Sequence, residues 1–245
     1  MSAPPLVLSL FPGIGLLDRA FELEGFCVVR GPDLLWGGDV RRFHPPKGSF
    51  AGIIGGPPCQ TFSTASNIGG TTKIDLIPEF VRVVQSVNPS FVVMENVRQA
   101  ANSKHIPRDW SKSIVRDWDC GGLTNRTRAF WSWPFLIMEP GGREAGTASH
   151  SVMASTHKRG NSKYVTDKGF LRGDLPVEEY ARLQGAPEIG EQLNNHKASK
   201  AFAVHCLGNG VPLAIGRHVA KQTAQALGCK PQPQKHERKR PNETR

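Results

Sequence analysis

The segment Phe50–Gln60 has the sequence FAGIIGGPPCQ, an apolar run followed by a stiff turn. The run Phe50–Ile54 has the length and composition of a buried strand. The double proline after it predicts a turn that presents the Cys59 thiol at the rim of a sheet. A nucleophilic thiolate needs such an open and oriented position. A structural turn with an inert cysteine is the alternative that this segment alone leaves open.

Strands and helices alternate around this segment. Apolar runs predict further strands at Leu6–Leu10, Phe26–Val29 and Ser90–Met94. Apolar residues at helical spacing predict helices at Leu16–Glu24 and Leu76–Val87. This alternation, with glycine turns after the strands, is typical of a doubly wound, Rossmann-like α/β sheet.

The pattern weakens after Trp133. The stretch Glu139–Asn161 is rich in Gly, Ser, Thr and His, which predicts a loop or a small irregular second lobe. Two further helices are predicted, a short one at Val177–Leu183 and a final one at Leu213–Leu227.

Composition restricts the class of protein. The 245 residues are 38% hydrophobic and 21% charged, as in a soluble globular protein. No apolar run reaches the roughly 20 residues that cross a bilayer, and no basic residue precedes an apolar core at the N-terminus. The five cysteines form no CxxC pair, so neither a disulfide framework nor a metal site is expected. These features predict a cytoplasmic protein without a membrane partner.

The net charge of +10 points to a polyanionic partner. Basic proteins bind nucleic acid through counterion release, although an acidic small substrate would satisfy the charge alone. Part of the excess lies in the tail, residues 229–245, which is predicted to be disordered. A nucleic-acid-binding arm and a solubilising end are both compatible with that tail.

Three features fall at predicted carboxyl ends of strands, where ligands bind in doubly wound sheets. They are the Gly13-x-Gly15 turn, Cys59 and the Glu95-Asn96 pair. The glycines allow a nucleoside cofactor to approach the backbone, although a GxG turn is a weak signal by itself. A carboxylate such as Glu95 also occurs as a capping or solvated residue. The combination of thiol, carboxylate and glycine turn indicates a catalytic site.

Six motifs resemble, in order, those of the DNA (cytosine-5) methyltransferase family. They are Phe11–Gly15, Gly56–Gln60 with Phe62-Ser63, Glu95–Val97, Arg126–Arg128, Glu179–Gly185 and Gly208–Pro212. The resemblance implies an S-adenosylmethionine-dependent methyltransferase fold and methyl transfer to carbon 5 of cytosine in DNA. It is also compatible with a restriction-modification enzyme of a phage or mobile element.

The resemblance assigns catalytic roles to Cys59, Glu95, Asn96, Arg126 and Arg128. Carbon 5 of cytosine is too electron-poor to attack a sulfonium methyl group, and a thiolate adding to carbon 6 makes it enamine-like. Cys59 would supply that thiolate. Glu95 would donate a proton to ring nitrogen 3 while Arg128 holds the carbonyl oxygen, and Asn96 would orient Glu95 or its loop.

The resemblance also assigns the binding residues. For S-adenosylmethionine they are Phe11, Gly13, Gly15, Asp33, Asp39, Pro57 and Asn209. Asp33 would bind the ribose and Asp39 the adenine, with Trp36 either facing the adenine or lying in an exposed linker. For the nucleic acid they are Gln60, Ser63, Thr124 and Arg182. The expected partner of this monomeric enzyme is duplex DNA with a flipped cytosine, covered by a mobile loop at Gln60–Asp75.

Some positions depart from the family pattern. Ser9 ends the first strand where an acidic residue is common, and Thr124 stands where a glutamine precedes the paired arginines. The segment 134–174 is short for a target-recognition domain. This segment is therefore predicted to be a reduced target-recognition segment. It would lie between a catalytic and cofactor-binding domain at 1–133 and a return to the catalytic domain at 175–228.

Two other functions stay open at this stage. A tRNA cytosine-5 methyltransferase could be built on the same motifs. A non-catalytic DNA-binding homologue would keep Cys59 for structure only, and the intact Cys59, Glu95 and Arg128 argue against it.

Overall fold

A six-stranded mixed sheet forms the centre of the molecule in the computed structural model, which describes residues 3–58, 75–144, 146–154, 163–166, 169–172 and 175–229. The strands lie in the order β2-β1-β3-β4-β6-β5. Their bounds are β1 Leu6–Leu10, β2 Cys27–Arg30, β3 Gly52–Gly55, β4 Phe91–Asn96, β5 Ser111–Arg116 and β6 Thr127–Trp133. The first four strands are parallel, whereas β6 runs antiparallel to both β4 and β5.

Helices cover both faces of this sheet. They are α1 Leu16–Leu23, α2 Ile77–Val87, α3 Val177–Leu183, α4 Pro187–Asn195, α5 Lys200–Asn209 and α6 Leu213–Ala226. On one face, α1 and α6 pack in a core with Val7, Val93 and Phe130. On the other, α2 packs on Leu8, Ile53 and neighbouring apolar side chains. The predicted doubly wound α/β fold is therefore confirmed.

A third core joins α3, α4 and α5 around the buried ring of Tyr180. The Tyr180 hydroxyl accepts a hydrogen bond from the Leu175 amide at 3.0 Å, and Leu16 connects this core to α1. A separate two-stranded sheet pairs β7 Lys163–Thr166 with β8 Gly169–Arg172. Within the predicted irregular stretch, residues 139–144 and 146–154 contain no helix or strand, and an isolated bridge joins Ser149 to Thr124.

In the part of the chain that the structure describes, no helix combines the length and apolar character needed to span a membrane. The same residues contain no cluster of three or more His, Cys, Asp or Glu side chains able to hold a metal ion.

Candidate active site

The double glycine after β3 is required by close contacts on two sides. A Cβ atom on Gly55 would lie 2.1 Å from the carbonyl oxygen of Leu10 in β1. A Cβ atom on Gly56 would lie 2.7 Å from Oε2 of Glu95. The chain can therefore pass between β1 and the Glu95 carboxyl group only because neither residue has a side chain. This passage places the Pro57-Pro58 turn beside the end of β4.

Asn96 holds that turn in place. Its side chain is 2% exposed, and its Nδ2 donates a hydrogen bond of 3.0 Å to the carbonyl oxygen of Pro57. Its Oδ1 accepts a hydrogen bond from the Val97 amide at 2.8 Å. Asn96 thus connects the turn after β3 to the end of β4. Cys59, Gln60 and Ser63 lie outside the described residues, and the turn anchored by Asn96 immediately precedes Cys59.

Glu95 and Arg128 form a largely buried ion pair at the carboxyl edge of the sheet. Arg128 Nε lies 2.6 Å from Glu95 Oε1, and the two side chains are 14% and 10% exposed. The antiparallel pairing of β4 with β6 sets this contact. Asn96 lies opposite Ala129, so Arg128, the next residue along β6, lies at the end of β4 that carries Glu95. Burial raises the pKa of Glu95 although the Arg128 guanidinium opposes the shift. A carboxyl group with a tendency to hold a proton therefore lies next to a fixed cation.

The glycine turn after β1 is tied to the segment that follows β2. Gly13 and Gly15 have φ angles of 55° and 79°, a left-handed conformation that glycine adopts at little cost. The Gly13 amide donates to Asp33 Oδ2 at 2.8 Å, and Trp36 Nε1 donates to the Gly13 carbonyl oxygen at 2.7 Å. Both contacts fix the turn, and Trp36 remains 66% exposed.

A cleft beside this turn brings together three of the seven predicted cofactor residues, Phe11, Asp33 and Asp39. It is lined by Phe11, Pro32, Asp33, Leu34, Gly38, Asp39, Val40, Arg41, Pro58 and Leu76. Arg41 forms paired hydrogen bonds with Asp39, with Nη2 2.7 Å from Oδ2, and these bonds lower the pKa of Asp39 to about 2. The cleft thus combines apolar walls with two carboxylates. Such a lining fits a nucleoside with ribose hydroxyl and base amino donors.

Two predicted site residues face the protein interior. Arg126 is 2% exposed, and its guanidinium donates to the carbonyl oxygens of Val152 and Gly208. Thr124 is fully buried, and its hydroxyl donates to Asp117 at 2.7 Å. These contacts hold the β5–β6 connection against the C-terminal part of the chain. The described contacts of Arg126 and Thr124 are thus within the protein, and the catalytic and nucleic-acid roles predicted for them stay predictions.

The other two predicted residues lie on the C-terminal helices. Arg182 forms an ion pair with Glu179, one turn earlier on α3, with 2.9 Å between Nε and Oε2. Asn209 ends α5, and its Nδ2 lies 3.0 Å from Nε2 of His205. Neither residue is among those that line the cleft.

Asp18 is a buried carboxylate for which the sequence predicted no role. It accepts a hydrogen bond of 2.5 Å from the Ser9 hydroxyl and lies 3.1 Å from Arg30 Nε. Burial raises the pKa of Asp18 to about 6. An acidic residue is common at the position of Ser9, and here a carboxylate from α1, that of Asp18, lies beside the serine. The serine at this position was the sequence signal that could have pointed to it.

Asp18 should leave a measurable pH dependence of stability. Its pKa is about 6 in the folded protein against 3.8 in the unfolded chain, so the folded state binds more protons between these values. The free energy of unfolding should therefore fall as pH rises from about 4 to 7, by up to about 3 kcal/mol from this group. Asp18→Asn should lack this component in urea titrations across the range. Parallel curves for the two proteins would show that Asp18 does not titrate there.

Known methyltransferases match part of this chain in sequence. The model of the C-5 cytosine-specific DNA methylase family matches residues 37–114. The type II methyltransferase M.NgoPII of Neisseria gonorrhoeae is 31% identical over 123 residues, which are 42% of this chain and 36% of that protein. M.HgiDI of Herpetosiphon aurantiacus is 45% identical over 119 residues, 40% of this chain and 38% of that protein. The orphan methyltransferase M.SPRI of Bacillus phage SPR is 33% identical over 118 residues, 39% and 27% respectively. This chain thus covers less than two fifths of each of these relatives.

Solved structures resemble the whole fold. The Entamoeba histolytica methyltransferase EhMeth superposes with a TM-score of 0.67 at 13% identity, over 92% of this chain and 99% of that one. The S. pombe Dnmt2 methyltransferase gives a TM-score of 0.64 at 14% identity, over 91% and 99%. At such identities the likeness establishes the fold alone.

Proposed function

We propose that this chain is a C-5 cytosine-specific DNA methylase, which transfers a methyl group from S-adenosylmethionine to carbon 5 of cytosine in DNA. One observation carries the proposal. The buried Glu95–Arg128 pair lies beside the turn that precedes Cys59, and Asn96 ties that turn to the same strand. A nucleophile, a proton donor and a fixed cation are the groups that this chemistry requires.

The proposed mechanism begins with the Cys59 thiolate, which forms a bond to carbon 6 of the cytosine. Electron density then moves toward ring nitrogen 3 and the carbonyl oxygen. Protonated Glu95 donates to nitrogen 3, and its raised pKa supports this role. Arg128 stabilises the charge on the oxygen. Carbon 5 would then take the methyl group, which leaves S-adenosylhomocysteine. Loss of the carbon 5 proton to a base, with return of the nitrogen 3 proton to Glu95, expels the Cys59 thiolate and restores the aromatic ring.

S-adenosylmethionine supplies the electrophilic methyl group, and the cleft beside the glycine turn would hold it. Among the described residues, no atom beyond the two chain neighbours lies within 4 Å of the position that a Gly13 Cβ would take, so a ligand can approach the backbone there. Asp33 would accept hydrogen bonds from the ribose hydroxyls, and Asp39 from the adenine amino group. Both carboxylates line the cleft, next to the apolar side chains of Leu34 and Val40.

Duplex DNA is the proposed substrate, with the target cytosine flipped out of the helix because carbon 6 is otherwise shielded by stacking. Residues 134–174 would form a reduced target-recognition segment between the two catalytic parts at 1–133 and 175–228, with the basic tail at 229–245. The proposed setting is a monomeric enzyme in the cytoplasm of a bacterial or phage-infected cell.

The cofactor assignment makes a quantitative prediction. Asp39→Asn should weaken S-adenosylmethionine binding about 10- to 100-fold, because a hydrogen bond to a charged group contributes about 1.5–3 kcal/mol. Isothermal titration calorimetry measures this directly and does not require DNA. Asp109→Asn removes an exposed carboxylate outside the cleft and should bind like the wild type. Equal affinity of the Asp39 variant and the wild type would refute the assignment.

The proposed function itself is tested with radiolabelled S-adenosylmethionine and two substrates in parallel, duplex DNA and tRNA. We expect label in the DNA and, after bisulfite sequencing, protected cytosines in a short context. Label in tRNA alone would favour the RNA enzyme. Binding of both cofactor and DNA without any transfer would favour a non-catalytic homologue.

A further inference from the structure

A short loop is fixed against the end of β5 by contacts to one tryptophan and one aspartate. Trp118 Nε1 donates to the Glu144 carbonyl oxygen at 3.4 Å, and the Arg143 amide donates to Asp119 Oδ1 at 3.3 Å. The Arg143 guanidinium stacks on the Trp118 ring, 4.2 Å from its centre. A Cβ atom on Gly146 would lie 2.4 Å from Trp118, so glycine allows the loop to pack this closely.

Asp119 accepts hydrogen bonds from the Arg116 side chain and from the Arg143 backbone amide. Arg116 forms paired hydrogen bonds with Asp119, of 2.8 Å from Nε and 2.6 Å from Nη2, and the Arg116 side chain is 46% exposed. These bonds lower the pKa of Asp119, which stays ionised. Arg143 is exposed as well. The cluster of Arg116, Trp118, Asp119 and Arg143, here called the basic patch, therefore carries a net positive charge on arginines held in fixed positions.

The basic patch lies next to the candidate active site. Arg116 ends β5 and is paired with Thr127, the residue before Arg128. Cross-strand partners have Cα atoms about 5 Å apart, so the backbone of Arg116 lies within one residue of Arg128 along the sheet edge, with the two side chains starting on opposite faces of the sheet. A duplex that delivers a flipped base to Arg128 would bring its phosphates within reach of this edge.

We propose that the basic patch binds the phosphate backbone of the DNA beside the flipped cytosine, with Arg116 and Arg143 as the contacting residues. The inference rests on the proposed function. Guanidinium groups match phosphate oxygens with two parallel hydrogen bonds. Asp119 and Trp118 already restrain the two side chains, so little rotamer freedom is lost on binding. These contacts would hold the duplex without reading its sequence.

Salt-dependent binding of a fluorescent duplex tests the proposal. Each phosphate contact contributes about 0.9 to the slope of log K against log salt concentration. Arg143→Gln should therefore reduce the slope by about 0.9, and Arg116→Gln should do the same. Arg143→Lys keeps the charge and should keep the slope. Lys221→Gln removes an exposed charge on α6 that is not part of the patch, and it serves as the matched control.

Melting temperature and S-adenosylmethionine affinity are measured on each variant to confirm that fold and cofactor cleft are intact. Wild-type slopes in both folded glutamine variants would overturn the proposal and leave the enzyme's function standing. A slope reduced equally by Lys221→Gln would also overturn it, because the effect would then reflect total charge. A wild-type protein that binds no duplex at low salt would overturn this inference and the proposed function together.

Discussion

Cys59→Ala should abolish methyl transfer to DNA while the fold and the affinity for S-adenosylmethionine are retained. In the proposed mechanism the thiol acts only in the covalent step, and without it carbon 5 of cytosine is too electron-poor to attack the methyl group. Activity measured by label transfer should fall below detection, and calorimetry should give wild-type cofactor binding. Cys27→Ala removes a free, exposed cysteine in β2 and should retain full activity.

A covalent trap tests the same step in the wild-type protein. Duplex DNA with 5-fluorocytosine at the target should form an adduct that survives a denaturing gel, because fluorine cannot leave as a proton does. The Cys59→Ala variant should form none. Unchanged turnover by this variant, or a wild type that methylates DNA without forming the adduct, would exclude the Cys59 mechanism.

Glu95→Gln should reduce the rate of methyl transfer about 10²–10³-fold, the usual effect of removing one donor that stabilises a developing charge. Glutamine has the shape of glutamate, but its amide cannot give up a proton to nitrogen 3 as a carboxyl group can. Glu95 is not among the residues that line the cofactor cleft, so cofactor affinity should stay unchanged. Single-turnover measurement of the labelled product separates the chemical step from product release.

Glu191→Gln, on the exposed surface of α4, is the matched control for this change and should behave as the wild type. A Glu95→Gln rate within a few-fold of wild type would remove Glu95 from the proton-donor role. Loss of cofactor affinity in the variant would instead indicate a structural role at the end of β4.

The strands and helices that the sequence predicted well are those with a continuous apolar signal. The run Leu6–Leu10 coincides with β1, and the predicted helix Leu76–Val87 differs from α2 by one residue. Buried parallel strands are apolar on both faces, so their composition alone marks them. The same holds for α6, which begins after Pro212 as predicted and ends one residue earlier.

Other elements were missed because their signal is weak. The edge strand β5 alternates polar and apolar residues and includes Lys112 and Arg116. The helix α4 is short and polar with an internal glycine. Buried residues occur on several sides of α5, so its sequence has no single apolar stripe. Such segments take their structure from the neighbours against which they pack, and those neighbours are distant in the sequence.

Sequence alone determined which residue types the site contains, because the glycine turn, Cys59, Glu95, Asn96 and Arg128 each stand in short motifs with a chemical reason. Only the tertiary structure decided which of them meet. The antiparallel pairing of β6 with β4 brings Arg128 to Glu95.

The tertiary structure also places Arg126, two positions before Arg128, in the interior, where its guanidinium donates to the carbonyl oxygens of Val152 and Gly208. It also placed the Asp18 carboxylate beside Ser9. The physical reason is that a motif specifies chemistry locally, whereas contact, burial and the resulting pKa depend on strand register and on chain segments far apart in sequence.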